Sequence, residues 1–514
     1  MKQLYFFILL TMVFSCNSAR KHNAFLEKKI PADKLRKDAD FAYDKLKKFH
    51  PNLYWYITKE DLDYKFDSLK QTLNQPLTPN EFYFKLSPVI ASISEGHLRL
   101  RALPKRYSKA EQKVFKTKKP LFALMEYKIV NDKMFVKENK HNIGNIQPGT
   151  ELLKINDDNV SDLISRYKKL YSSDGKNQTF QKYFMNLAFF NFYTLENGFL
   201  DSANLKTRLN NVIKDIPIKR QKKSDQEVSS EKDPPKITTA QKVQDYDATS
   251  NTYNRNLKFL KSDSSIAYIK VKTFSATLSR KFYKESFRTI KNAKSDYLIL
   301  DIRDNLGGSL SEINTLYSYL SDKEFTLIKS PEMTNRTSGM HQNYFRGQTA
   351  FSSVFTAVAY PFFLAGNYLL SSKKEDRYYF RESASKPTKP KPDAFRGKIY
   401  VLVNGASFSA SSIISAKLKY EKRAVIIGEE TGGANDGTVA GVNNTITLPN
   451  SKLTLPIGLF LIRPDIEFEN QSRGVIPNVP IDPDFENIAP DEDKMLNWAL
   501  DDISFRNAVM GKGK

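Results

Sequence analysis

Hydroxyl groups crowd one short stretch of the chain, Asn404-Gly405-Ala406-Ser407-Phe408-Ser409-Ala410-Ser411-Ser412. The stretch lies between an apolar run, Lys398 to Val403, and a helical pattern from Ser411 to Lys419. A strand-turn-helix corner of this kind can present a serine oxygen at a helix N-terminus. Unpaired backbone N–H groups and the positive end of the helix dipole stabilise negative charge that develops there. The same hydroxyls can instead serve only as helix caps. A second corner, Ser295 to Ser309, has the same form, a strand pattern running through Asp301, Arg303 and Asn305 into Gly307-Gly308 and then a helix. Two strand ends of this kind can face one another, one offering a nucleophile and the other glycine amides.

A serine hydroxyl is a weak nucleophile at neutral pH and needs a partner that takes its proton during attack. Five histidines are present. His22, His141 and His341 sit in polar, loop-like contexts, His50 in Phe49-His50-Pro51-Asn52-Leu53, and His97 in Ser94-Glu95-Gly96-His97-Leu98. No clustered His/Cys/Asp set of metal-ligand spacing occurs, so neither a metal nor another cofactor is expected.

The elements that must position these groups are legible in outline. From Ala32 to Ile93 the apolar spacing is helical. Thr78-Pro79-Asn80-Glu81 supplies an N-cap, a proline at the first helical position and a capping glutamate for a helix running to about Ser94. His97 then falls where a helix gives way to a strand-like alternation. Strand-like runs follow at Lys133 to Lys137 and Glu151 to Asn156, separated by Ile146-Gln147-Pro148-Gly149-Thr150. Lys219 to Ser250 and Ser371 to Pro392 are charged and poor in apolar residues, and are expected as flexible insertion and solvated loop. From Ile266 strands and helices alternate, which favours an α/β core with a largely parallel sheet. Both corners fall at carboxyl ends of strands, where such sheets carry their sites.

Three segments in this order, "YLILDIRDNLGGS", "VLVNGASFSASS" and "AVIIGEETGG", resemble the carboxyl-terminal processing (tail-specific) peptidases and their relatives with a tricorn-protease core. "KKFHPNLYWY", "SPVIASISEGHLRL" and "IQPGTELLKINDDNVSDLI" extend the resemblance over most of the chain from about residue 35 to about residue 485. It implies an α/β catalytic domain of the tricorn-core, ClpP/crotonase-like kind, with an N-terminal helical subdomain and a PDZ-like β module. Modules of that kind bind extended peptide ends by adding a strand to a sheet edge.

The resemblance places the nucleophile at Ser409, with Ser407 as the alternative, and the oxyanion donors at the amides of Ala410 and of Gly307 or Gly308. Relatives of the serine-lysine type carry a lysine just after the Gly-Glu-x-Thr strand end. Here that position is Ala434, and no lysine occurs from Arg423 to Leu448. The tricorn-like solution uses a histidine, which makes His97 the base and leaves His50 structural. A later glutamate would orient it, Glu469 or alternatively Glu467, just before Gly474-Val475-Ile476-Pro477-Asn478. Asp301, Arg303 and Asn305 are expected to hold the glycine loop.

With 514 residues, 40% of them hydrophobic and 12% aromatic, the chain is long enough for two or three domains with a sizeable core. Its lone cysteine, Cys16, excludes an intrachain disulfide. Met1-Lys2-Gln3, the apolar run Leu4 to Phe14 and then Ser15 have the form of a secretory signal, short for a membrane span. Val13-Phe14-Ser15-Cys16 resembles a bacterial lipobox, which implies lipidation of Cys16. Buried acyl chains anchor by roughly 0.8 kcal/mol per methylene. The net charge of +23, from 80 basic against 57 acidic residues, is spread along the chain and has no nucleic-acid motif beside it.

The expected organisation is a signal peptide over 1–15, a tether over 16–31 and an N-terminal helical part over 32–115. A PDZ-like module over 116–170, a helical connection over 171–218 and a flexible insertion over 219–250 follow. The catalytic core spans 251–490, and a C-terminal helix and tail span 491–514. The expected function is a secreted, lipid-anchored serine endopeptidase facing the periplasm, acting on peptides or unfolded proteins through an acyl-enzyme. The alternatives are a catalytically silent relative that binds peptides or another ligand in the same cleft and, further off, an esterase.

Overall fold

The structure, a computed structural model, describes residues 19–223, 246–247, 252–275, 279–336, 344, 350–467, 472–482 and 492–511. The signal segment, Cys16, most of the 219–250 insertion, His341 and Glu469 therefore lie outside the described residues.

Three helices, Ala32–Phe49, Lys59–Thr72 and Pro79–Ala91, form the N-terminal part. In the first, Leu35, Ala39, Ala42, Leu46 and Phe49 recur at helical spacing, and all are buried. The expected capping box is present, with Thr78 and Glu81 capping each other's backbone and Pro79 in the first turn. The helix ends at Ala91, a few residues before Ser94, which takes a positive φ. The tether differs from expectation. Residues 19–26 are helical, Asn23 donates to the Arg106 carbonyl at 2.7 Å, and Leu26 and Ile30 are buried.

A six-stranded antiparallel sheet follows, built from Glu126–Val130, Lys133–Glu138, Glu151–Ile155 and Asp158–Asn159, then Ser202–Leu209 and Val212–Lys219. The stretch 171–218 is thus helical only over Thr179–Asn197, after which it returns as a hairpin that pairs with Glu151–Ile155. Ala203, Leu205 and Thr207 alternate inward in that hairpin, a period of two that a count of charged residues hides.

The core sheet has the order Val479–Pro480, Ala424–Gly428, Lys398–Val403, Tyr297–Asp301, Ile266–Val271 and Arg255–Phe259. Every neighbouring pair is parallel except the last. Alternate residues feed two layers. Ile269, Leu298, Leu300, Ile399 and Val401 pack with Phe282, Leu316, Ile413 and Ile414, while Tyr268, Ile299, Tyr400 and Leu402 pack with Met495, Ala499 and Ile503 of the C-terminal helix Lys494–Gly511. Burial on both faces is why these strands read as continuous apolar runs. The mixed α/β core expected from the sequence is the one observed.

A second, five-stranded antiparallel sheet contains Ser371–Lys374, Arg377–Phe380, Glu332–Met333, Thr454–Ile462 and Thr438–Thr447, in that order. The stretch from Ser371, expected as solvated loop, is therefore partly strand. Its lysines face outward from the hairpin, while Tyr378 and Phe380 pack on the core. The turn between Thr438–Thr447 and Thr454–Ile462 is tied to the first helix by Asp38, which is buried and accepts from the amides of Asn450 and Ser451 at 2.9 and 2.7 Å.

Candidate active site

Strand Lys398–Val403 ends in the hydroxyl-rich turn, and helix Ala410–Tyr420 begins just after Ser409. Three of the turn's serines are spent on structure. Ser407 is fully buried, donates to the Ile302 carbonyl at 2.8 Å and accepts from the Asn404 amide at 3.1 Å. Ser411 donates to the Asn305 carbonyl at 2.8 Å, and Ser412 to that of Ser407 at 3.0 Å. These bonds fasten the turn to the neighbouring strand end and leave Ser409 lining a cleft of about 590 Å³. Ser409 has φ 55° and ψ −118°, a conformation costly for a residue with a Cβ. Strain of this kind lifts a side chain clear of its own turn.

The glycine loop lies directly against it. Gly307 has φ 100°, and a Cβ there would stand 2.7 Å from both the Phe408 carbonyl oxygen and the Ser409 Cβ. The Gly307 amide donates to Asn305 Oδ1 at 2.9 Å, and Asn305 in turn donates to the Val271 carbonyl at 3.0 Å. Of the three amides expected as oxyanion donors, this leaves Gly308, which lines the cleft, and Ala410 in the first turn of its helix, where N–H groups lack intrahelical partners. Asp301 and Arg303 form a clamp beneath the loop. Arg303 bridges Asp301 at 2.7 Å and Asp493 at 2.7 Å, and Lys270 adds a contact to Asp301 at 2.9 Å. Burial alone would raise the Asp301 carboxyl, but Arg303 and Lys270 outweigh it and bring it down to about 2.

His97 reaches this corner from the N-terminal part of the chain. Its Nε2 lies 3.1 Å from Ser409 Oγ, and its Nδ1 lies 2.9 Å from Thr438 Oγ1. The ring stacks on Phe408 with centroids 4.7 Å apart. Gly96 allows that approach, since a Cβ there would meet the Phe408 ring at 2.6 Å. The residues around His97 form only a single bridge, Arg101 to Thr454, rather than the alternating strand expected. Burial lowers the imidazole pKa below its usual value, against the opposing pull of Asp174.

Behind the ring stands an acid whose role the sequence alone does not mark. Glu95, 2% exposed, accepts from Thr438 Oγ1 at 3.2 Å and from the Val439 amide at 3.3 Å, and its Oε1 is 4.0 Å from His97 Nδ1. Asp174, fully buried, accepts from the Gly96 amide at 2.7 Å and the Ala434 amide at 3.2 Å. Burial first, and then the neighbouring Asp174, push the Glu95 carboxyl well above the ordinary carboxylate range. Among the described residues, Glu95, His97 and Asp174 are the acid and imidazole group compact enough to suit a metal, with ligand atoms within 4.8 Å of one another. Glu95 Oε1 and both Asp174 oxygens are, however, already engaged with protein donors.

The other expected residues fall as follows. Glu467 is exposed, and its alternative Glu469 lies outside the described residues. His50 is buried and neutral, its pKa brought down to about 3 by burial, and its Nδ1 accepts from the Asn52 amide. His22 and His141 contact the Pro104 carbonyl and Lys119. Ala434, in the lysine position, is buried with its amide on Asp174.

A strand-end serine beside an imidazole and a glycine loop, in a parallel α/β sheet, is the architecture of a serine-type hydrolase. Residues 265–481 match the model for Peptidase family S41, so the chain carries a serine-type peptidase domain of that family. Ser409, Gly307, Gly308 and Ala410 lie inside the matched stretch, and His97 lies outside it. Among solved structures, mature CPAF is similar with a TM-score of 0.53 at 15% identity, over 87% of this chain and 92% of that one. Mature CPAF complexed with lactacystin gives a TM-score of 0.54 at 16% identity, over 87% and 94%. At this identity the likeness is one of fold. No curated protein matches the chain.

Proposed function

We propose that this chain is a secreted, lipid-anchored serine endopeptidase that cleaves peptides or unfolded proteins through an acyl-enzyme. The observation that carries the reading is the 3.1 Å approach of His97 Nε2 to Ser409 Oγ, at a strained turn facing the glycine loop. Ser409 Oγ attacks the scissile carbonyl carbon as its proton passes to His97 Nε2. The amides of Gly308 and Ala410 receive the oxyanion. Collapse breaks the C–N bond, and His97 returns the proton to the departing amine. Water, deprotonated by the same nitrogen, then releases the acid and restores Ser409. For orientation of the ring, Glu95 fits better than the exposed Glu467, because Thr438 already occupies Nδ1 and Glu95 stands directly behind it.

Anchoring through Cys16 rests on the sequence that precedes it, an apolar run from Leu4 to Phe14 and the lipobox-like Val13 to Cys16. No helix among the described residues is long and apolar enough to cross a membrane. A periplasmic face of the cell envelope is the corresponding location. The six-stranded β module offers a sheet edge on which an extended peptide could add a strand, the role its PDZ-like sequence suggests.

The test is cleavage of an unfolded, tag-bearing polypeptide by the full chain in detergent, beside Ser409→Ala, with a metal chelator present. Turnover that disappears in the variant supports the reading. Equal, negligible turnover in both, with the fold intact, would replace it with a ligand-binding role.

A further inference from the structure

The contacts around His97 Nδ1 fix more than the identity of a neighbour, because hydrogens there can be counted. To accept the Ser409 proton, Nε2 must be bare, so the ring hydrogen of the neutral imidazole sits on Nδ1. Nδ1 then donates to Thr438 Oγ1, 2.9 Å away. The Thr438 hydroxyl has one hydrogen of its own, and with its oxygen accepting from the ring it points that hydrogen at Glu95 Oε1, 3.2 Å away. Oε1 also accepts from the Val439 amide at 3.3 Å, so this oxygen acts as a carbonyl with two donors.

Next in line is Asp174, whose two oxygens accept from the amides of Gly96 and Ala434 at 2.7 and 3.2 Å. Both carboxyls are buried, Glu95 at 2% and Asp174 at 0% exposure, and they lie in one cluster whose facing atoms fall within 4.8 Å. Two carboxylates cannot both remain ionised in such a site without a cation between them. One proton must be shared. Asp174, with an N–H on each oxygen, is built to hold the charge, and Glu95, whose Oε1 is taken by two donors, carries the proton on its other oxygen, towards Asp174. The upward displacement of the Glu95 carboxyl, from burial and from Asp174, agrees with that order.

We infer that Thr438, Glu95 and Asp174 are positioning residues that hold the base through a directed relay, His97 to Thr438 to a neutral Glu95 carboxylic acid to an Asp174 carboxylate. The inference rests on the assignment of Ser409 and His97 above and adds which acid is charged. It differs from the arrangement in which an ionised acid touches the imidazole directly. There, replacing the acid by its amide costs about 10,000-fold in kcat, because the amide enforces the wrong tautomer. Here Glu95→Gln reproduces the protonated acid, with a carbonyl for Thr438 and Val439 and an N–H for Asp174. Asp174→Asn does the opposite and sets an NH2 against a backbone N–H.

The experiment compares kcat and KM of the full chain with those of Glu95→Gln, Asp174→Asn, Thr438→Val and Thr438→Ser on the unfolded, tag-bearing polypeptide. Ring-15N histidine spectra of each protein accompany the kinetics, with the His97 signals assigned by their loss in His97→Gln. The expected pattern is a kcat for Glu95→Gln within about threefold of the parent, losses of about 10- to 100-fold in Thr438→Val and Asp174→Asn with KM little changed, and recovery in Thr438→Ser. The His97 Nδ1–H tautomer should persist in Glu95→Gln and disappear in Thr438→Val. A collapse of kcat in Glu95→Gln by 1,000-fold or more would overturn the relay and make Glu95 the ionised acid. So would a Thr438→Val protein with unchanged kcat and an unchanged Nδ1–H signal. If the parent and Ser409→Ala were both inactive, the peptidase reading would fail, and the tautomer pattern would still decide the relay by itself.

Discussion

Phe408 and His97 stack with ring centroids 4.7 Å apart and planes inclined by 29°, so the residue before Ser409 sets the plane of the imidazole. Phe180 backs Phe408 from the other side at 4.5 Å. His97 and Ser409 are therefore registered to one another through a side chain as well as through their own hydrogen bond.

Removing that stack should loosen the imidazole without unmaking the turn. Aromatic pairs contribute about 0.5–1.5 kcal/mol beyond their buried area, which corresponds to roughly 2- to 10-fold in rate if the stack serves the transition state. Phe408→Leu is expected to lower kcat within that range and leave KM nearly unchanged. Steady-state kinetics on the polypeptide substrate decide it, and an unaltered kcat would show that the ring is held by Thr438 alone.

Gly307→Ala is expected to be far more damaging than its single added methyl suggests. At φ 100° the new Cβ would meet the Ser409 Cβ and the Phe408 carbonyl oxygen at 2.7 Å, so the oxyanion loop and the nucleophile must part. Displacing one oxyanion donor costs about 100- to 1,000-fold in kcat. Overpacking costs only about 1–3 kcal/mol of stability, so the variant should fold and fail to turn over. Circular dichroism melting beside kcat measurement separates the two effects.

The acid limb of the activity profile should lie below pH 6.5. Burial favours the neutral imidazole and lowers the His97 pKa, with Arg99 acting in the same sense and Asp174 against both. A base must be unprotonated to accept the Ser409 proton, so activity falls only once the pH drops through this lowered value. A profile of kcat/KM against pH whose limb fell above 6.5 would mean that Asp174 outweighs burial.

Acid should also weaken the fold through Asp301. Its carboxyl is held at about 2, because Arg303 and Lys270 overcome the effect of burial. The unfolded chain binds this proton near pH 3.9, so the clamp's contribution is complete above that pH and is lost as the pH falls towards 2. The displacement corresponds to about 2–3 kcal/mol. Urea unfolding at pH 6 and pH 3 should show a smaller difference in Asp301→Asn than in the parent.

The sequence exposed the parts of the site that are local in the chain. Ser409, Ala410 and the two glycines sit at strand-to-helix turns whose composition is fixed within about ten residues, and their apolar strands, buried on both faces, are continuous runs. His97 was found through its motif. Thr438 and Asp174 were not, because their partners come from distant segments and nothing in their own neighbourhoods marks them. Glu95 lies two residues from His97, and only the fold shows that its side chain turns behind the ring. The hairpins at Ser202–Leu209 with Val212–Lys219 and at Ser371–Lys374 with Arg377–Phe380 were missed for a different reason. The first lies in the stretch expected as helical connection and the second in the one expected as solvated loop, and in both the outer strand is exposed over most of its length, so burial marks no alternation there.

His97, Glu95 and Asp174 all precede residue 180, and Ser409 and Thr438 follow residue 400, yet they meet within hydrogen-bonding distance. A chain emerging from the ribosome therefore carries His97 long before Ser409 is made, and a fragment ending anywhere between them has neither a complete pair nor the second sheet that joins them. The proposed chemistry therefore waits on the docking of segments that are made far apart in time.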